Sequence, residues 1–205
     1  MNKPSLLRAG FSSLLITLCI IPAFSQLKPA NQANDAKTKA TNPFAMVAQM
    51  VSDSFGAPVK LIEEFIREAK ALEKDEGIPA TLFIGIAILE STGFTSHLYQ
   101  NALNPFGMRA TKIWNGPTFV MYHEGADAPF RKYDSPRQAV RDFKAFLASR
   151  KWFDDALRCP VTDIDCFLKG MSANLQKKEP GYARDPEWAN KIRRVIRTYN
   201  LESLR

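Results

Sequence analysis

The chain has 205 residues, 45% hydrophobic and 24% charged, with a formal net charge of +7. That supplies apolar material for one core and too much for a disordered chain, and the 13 prolines and 10 glycines exclude collagen-like and low-complexity architectures. No uncharged apolar run reaches the roughly 18 residues that a bilayer-spanning helix needs.

Residues 1–25 carry Lys3 and Arg8, an apolar stretch over 14–21, then Pro22 and the small residues Ala23 and Ser25. This is the pattern of a secretory signal peptide, with cleavage expected after Ser25 and a periplasmic or secreted destination. Cys19 falls inside the removed peptide, because Leu18 before it is too large for lipoprotein processing. Losing Lys3 and Arg8 takes the net charge from +7 to +5. A basic exported chain is drawn to anionic polymers such as a charged cell wall, acidic lipid or nucleic acid; the alternative is a charge that only keeps the surface solvated.

Residues 26–46 are polar and nearly free of aliphatics, which predicts a linker before one domain over 47–205. Val59, Ile62, Phe65, Ile66, Ala69 and Leu72 recur at helical spacing and predict an amphipathic helix over 58–74. Gly77-Ile78-Pro79 breaks it, and Pro79 opens a second helix over 80–91 that Gly93 stops. This helix is apolar almost all round, which places it at the centre of the domain with one ionisable group, Glu90, at its end. Residues 96–116, rich in Asn, Gly and aromatics, read as an irregular functional loop. Two β-rich runs, 118–122 and 129–133, predict an antiparallel hairpin around a 123–128 turn. Asp134-Ser135-Pro136 caps a helix reaching about 150, a short helix follows Thr162, and Asp185-Pro186 announces a last one carrying Trp188, Ile192, Val195, Ile196 and Tyr199. The fold class is α+β, mostly helical.

Cys159 and Cys166 remain after signal removal, and in an oxidising compartment they read as one local disulfide worth about 2.5 kcal/mol. The alternative, a cysteine nucleophile, has only His97 and His123 as bases, and neither lies in a recognisable pairing. Glu90 carries more information. A carboxylate closing an apolar helix costs several kcal/mol to bury charged, which raises its pKa and suits it to general-acid work on a glycosidic oxygen. The alternative is a helix-end glutamate that reaches solvent or pairs with a Lys or Arg.

Ala87-Ile-Leu-Glu-Ser91, Asn104-Pro-Phe-Gly-Met-Arg-Ala110, Trp114-Asn-Gly116, Phe130-Arg-Lys-Tyr-Asp-Ser135 and Gly181-Tyr-Ala-Arg-Asp-Pro186 follow Gly77-Ile-Pro-Ala80 in order. Over about residues 50–203 the chain resembles the glucosaminidase domain of glycoside hydrolase family 73, found in peptidoglycan autolysins and flagellar muramidase-type proteins. The resemblance implies a lysozyme-like domain, with a β-hairpin lobe flanking a saccharide cleft, that acts as an endo-β-N-acetylglucosaminidase on the GlcNAc-β-1,4-MurNAc bond. Glu90 takes the place of the catalytic acid. Tyr182 takes the place of an active-site tyrosine, orienting or stacking on the sugar's acetamido group, or else packing on the last helix.

The hairpin departs from the family pattern. Many relatives place a second glutamate just before a tyrosine, and here that position is Met121. Glu124 and Asp127 are the replacement candidates, with ordinary turn residues as the alternative, and the substrate's own N-acetyl group is a third candidate for the nucleophile. Phe94, Tyr99, Phe106 and Trp114 suit sugar faces, with Phe106 packing beneath the cleft wall, while Asn104 and Arg109 suit hydroxyl, acetamido or lactyl groups. No cofactor or metal is expected, since two histidines and a paired cysteine set leave too few ligands and there is no phosphate-binding glycine loop. Peptidoglycan strands are the expected partner of a monomeric protein; scattered Lys and Arg argue against nucleic acid. The rivals are a lytic transglycosylase and a wall-binding module without catalysis.

Overall fold

The computed structural model describes residues 42–123, 125–172, 181–183 and 185–205. The signal segment and most of the expected linker lie outside the described residues, as does Glu124.

The elements run α1 (Pro43–Phe55), α2 (Val59–Glu76), α3 (Ala80–Glu90), α4 (His97–Ala102), β1 (Thr118–His123), β2 (Ala126–Arg131), α5 (Pro136–Ala148), α6 (Asp154–Leu157), α7 (Ile164–Met171) and α8 (Trp188–Thr198). Short 3-10 turns occupy Lys151–Phe153 and Leu201–Leu204. The architecture is helical with one two-stranded antiparallel sheet, and among the described residues no helix is long and apolar enough to cross a membrane.

α3 forms the axis of the core. Ala80 to Leu89 are all buried, and α2, α8 and the C-terminal 3-10 turn surround them. A helix with no polar face can be covered only by neighbours on every side. Gly85 lets α8 approach closely: a Cβ there would meet Ile196 Cγ1 at 3.1 Å. α2 and α5 lay their apolar stripes on the same core, through Ile62, Phe65 and Ile66 and through Val140, Phe143 and Leu147.

Three boundaries differ from the sequence expectation. The linker, expected to reach 46, gives way earlier to α1, which Asn42 caps by accepting from Phe44 N–H at 3.0 Å and Pro43 starts. Its buried stripe of Val47, Ala48 and Val51 is narrow enough to be lost in a polar stretch. The loop expected over 96–116 contains a helix, α4, with Ser96 as its N-cap. The hairpin is tighter than expected, pairing Thr118 with Arg131 through to His123 with Ala126, with Gly125 at φ 87° in the turn. Cys159 and Cys166 are joined by a disulfide across 5.8 Å between Cα atoms, tying the end of α6 to α7.

Candidate active site around Glu90

The chain leaves α3 at Glu90 through a left-handed turn. Thr92, Gly93 and Phe94 take positive φ values of 53°, 60° and 68°, a conformation costly for a β-branched or aromatic residue. Ser91 offsets that cost: its buried hydroxyl donates to Ala87 O at 2.6 Å and accepts from Phe94 N–H at 2.8 Å. Gly93 N–H returns to Ile88 O at 2.8 Å, and Ser96 N–H to Ser91 O at 2.9 Å. Gly93 also lies against Phe55, whose ring a Cβ at that position would overlap. The last residue of α3 is thus held from both sides.

Glu90 is the one residue of α3 that is not fully buried. Its Oε1 accepts from Trp188 Nε1 at 3.0 Å across 98 residues of chain. Burial pushes its carboxyl up to about 7, with the Trp188 hydrogen bond and Lys191 pulling the other way and Asp185 adding to the rise. Asp185 is itself engaged, its Oδ2 accepting from Lys191 Nζ at 2.6 Å, and that bond holds its carboxyl below the usual range. Tyr182 lies close enough for Glu90 to act on its phenol, and its ring is 5.1 Å from that of Trp188. A carboxyl half-protonated near neutrality, oriented by one indole N–H, can deliver a proton and take it back.

Tyr182 is 3% exposed and donates its hydroxyl to Phe106 O at 3.0 Å. Its phenol therefore ties the segment before α8 to the loop after α4, and its ring packs against Trp188 at the start of α8. Phe94, Tyr99 and Asn104, expected at the substrate, lie in the core, and so does Phe106, in the packing role expected of it. Phe94, Tyr99 and Phe106 are fully buried in one aromatic cluster, with Phe94 5.1 Å from Tyr99 and Phe106 stacked on Phe143 at 4.2 Å. Asn104, 1% exposed, uses its amide on Met108 O and Arg131 O and accepts Met108 N–H, so it clamps the loop to the end of β2.

Arg109 and Trp114 stay half-exposed. Arg109 lies over the Phe130 ring at 4.6 Å and reaches His123 Nδ1 at 3.2 Å. Trp114 donates Nε1–H to Pro117 O and carries the Arg131 guanidinium on its face at 4.7 Å. On the hairpin, alternation separates the two candidate positions. Met121 shares a face with Phe119 and Phe130 and packs toward Leu98 and Ala102 of α4. Asp127 pairs with Tyr122 on the opposite, exposed face, so it does not occupy the direction that Met121 takes. Among the described residues, no cluster of His, Cys, Asp and Glu is placed to hold a metal.

Residues 66–201 match the glucosaminidase family, described as mannosyl-glycoprotein endo-beta-N-acetylglucosaminidase. The chain belongs to this glucosaminidase family. It is 32% identical over 140 residues to the peptidoglycan hydrolase FlgJ of Salmonella typhimurium, covering 62% of this chain and 42% of that protein. It is 27% identical over 150 residues to the exo-glucosaminidase LytG of Bacillus subtilis, covering 69% and 51%. The chain thus spans about half or less of the curated relatives it matches. Among solved structures, the glycoside hydrolase domain of Salmonella typhimurium FlgJ superposes with a TM-score of 0.56 at 26% identity, over 70% of this chain and 89% of that one. The peptidoglycan hydrolase from Sphingomonas sp. A1 gives 0.56 at 25% identity, over 71% and 91%. The Listeria monocytogenes autolysin Auto catalytic domain shares the fold, with a TM-score of 0.58 at 21% identity over 83% and 92%. The fold is that of the lysozyme-like glucosaminidase domains.

In this glucosaminidase domain the contact that sequence reasoning missed is Trp188. Helical periodicity marks it as a buried residue of α8, and it is 2% exposed. A tryptophan buried at a helix start carries an N–H that needs an acceptor, and that is the one signal that could have singled it out. Asp185 and Lys191 were visible only as parts of a motif and a helix.

Proposed function

We propose that the protein is an exported endo-β-N-acetylglucosaminidase that hydrolyses the GlcNAc-β-1,4-MurNAc bond of peptidoglycan, with Glu90 as general acid. The observation that carries this reading is the carboxyl at the end of the buried helix, raised to about 7 and held by Trp188. Membership of the glucosaminidase family and likeness to proteins named peptidoglycan hydrolases support the substrate. The basic chain suits an anionic wall.

In the proposed reaction Glu90 gives its proton to the bridging oxygen as the glycosidic bond breaks. Positive charge develops at the anomeric carbon. The acetamido oxygen of the same sugar closes on that carbon, and water then opens the ring, returning a proton to the Glu90 carboxylate. This route places no demand on Met121 or Asp127. Trp188, Tyr182, Asp185 and Lys191 position and tune Glu90.

Digested walls analysed by mass spectrometry test the reading: reducing GlcNAc ends are expected, and Glu90→Gln should release none. Anhydro-muramic ends would replace hydrolysis by lytic transglycosylation. That second reading draws on one observation: apart from Asp185, already held by Lys191, no described carboxylate acts on Glu90.

A further inference from the structure

We propose that Arg150, Lys151 and Trp152, none of them among the residues around Glu90, form a further glycan-contact site that takes a carboxylate-bearing sugar: Trp152 against the sugar face, Arg150 against the carboxylate. The proposal rests on the reading above that the substrate is an amino-sugar polymer with acidic groups.

The three residues are consecutive where α5 ends and the chain turns into the 3-10 segment. The Arg150 guanidinium lies over the Phe146 ring at 3.6 Å, and its Nη1 donates to Phe146 O at 2.8 Å and Ser149 Oγ at 2.7 Å. These contacts fix the group, and none of them is an anion. Three other arginines have carboxylate partners: Arg131 with Asp142 at 2.6 Å, Arg137 with Glu68 at 2.5 Å, Arg141 with Glu76 at 2.6 Å. Among the described residues neither Arg150 nor Lys151 has a carboxylate partner. The next acids do not serve them, since Asp155 is held by Arg158 and Asp154 makes no ion pair with either.

The charged group that acts on Arg150 is another cation, Arg131, and this neighbour together with burial lowers the guanidinium's hold on its proton. Arg131 already has Asp142 as its anion, whereas the half-buried Arg150 has none, and the planar fork of a guanidinium fits a carboxylate. Two residues further along the chain, Trp152 keeps 37% of its surface in water with its ring 6.0 Å from Phe153. An exposed indole two residues from a guanidinium without a carboxylate partner suits a sugar that has one apolar face and one acidic substituent. The carboxylate can come from the lactyl group of the sugar or from an attached peptide.

The test uses the full chain carrying Glu90→Gln, so that no turnover occurs, and isothermal titration with three oligosaccharides of equal length. One is a neutral N-acetylglucosamine oligomer, one bears free lactyl carboxylates, and one has those carboxylates capped by a short peptide. The unmodified site is expected to favour the carboxylated oligomers about tenfold over the neutral one. Arg150→Gln should erase that preference and Arg150→Lys should keep part of it, while Trp152→Ala should weaken binding of all three alike. Preference for the free-lactyl oligomer alone assigns the sugar as the source of the anion; preference for both carboxylated oligomers assigns the peptide as well. The proposal falls if Arg150→Gln keeps the preference, including the case where it only melts earlier, which would leave Arg150 a helix cap. It also falls if the unmodified site has no preference. The two readings separate on walls: release of reducing ends by a protein whose unmodified site shows no carboxylate preference removes this site and leaves the enzyme. A preference without release of reducing ends removes the enzyme reading and leaves the site.

Discussion

Replacing Glu90 with glutamine takes away the only ionisable group of α3 while keeping an oxygen to accept the Trp188 N–H. In the folded protein the carboxyl is raised from 4.5 to about 7, mainly by burial. Between those values the folded chain holds a proton that the unfolded chain has released, so stability falls as pH rises through this window. A rise of about 2.5 units at about 1.4 kcal/mol per unit corresponds to about 3.5 kcal/mol above pH 7. Glu90→Gln does not titrate and escapes that loss. For a chain of this size each kcal/mol moves the midpoint by about 2–4 °C, so the variant is expected to melt about 7–14 °C above the parent at pH 8. The advantage should shrink at pH 6 and vanish at pH 4. Calorimetric melts of both proteins at the three pH values measure it. A gap of the same size at every pH, or none at pH 8, would refute the raised carboxyl and with it the assignment of Glu90 as a proton donor near neutrality.

Trp188→Phe keeps an aromatic ring and removes the donor to Glu90, and since that bond stabilises the charged carboxyl, its loss moves the alkaline limb of the pH–rate profile up by about one unit or more while lowering kcat. An unmoved limb would mean that the indole only packs. Gly93→Ala places a Cβ in the Phe55 ring at positive φ, and a loss of about 2–4 kcal/mol in urea unfolding is expected, with activity falling as the turn after Glu90 shifts. Cys159→Ser with Cys166→Ser should cost about 2.5 kcal/mol and leave wall-cleaving activity per folded molecule unchanged, because the bridge joins the end of α6 to α7 and neither cysteine is among the residues that act on Glu90.

Local pattern was enough for much of this protein. The amphipathic stripe of α2, the cap at Ser135-Pro136 and the disulfide between cysteines seven apart in sequence all arise from interactions a few residues long. α3 was legible for the opposite reason: eleven residues with no polar face must be central, and a single carboxylate at their end stands out. Where chain and solvent meet could not be read in this way. Phe94, Tyr99 and Phe106 lie in turns and a short helix whose spacing suggests exposure, and only Phe65, Phe83 and Phe143 arriving from α2, α3 and α5 bury them. The faces of Met121 and Asp127 depend on strand register, which a turn shorter than expected reset. The residue that could carry the proton was therefore present in the sequence, but its affinity for that proton comes mainly from burial, opposed by Trp188 and Lys191 and helped by Asp185, and only the folded chain supplies these surroundings.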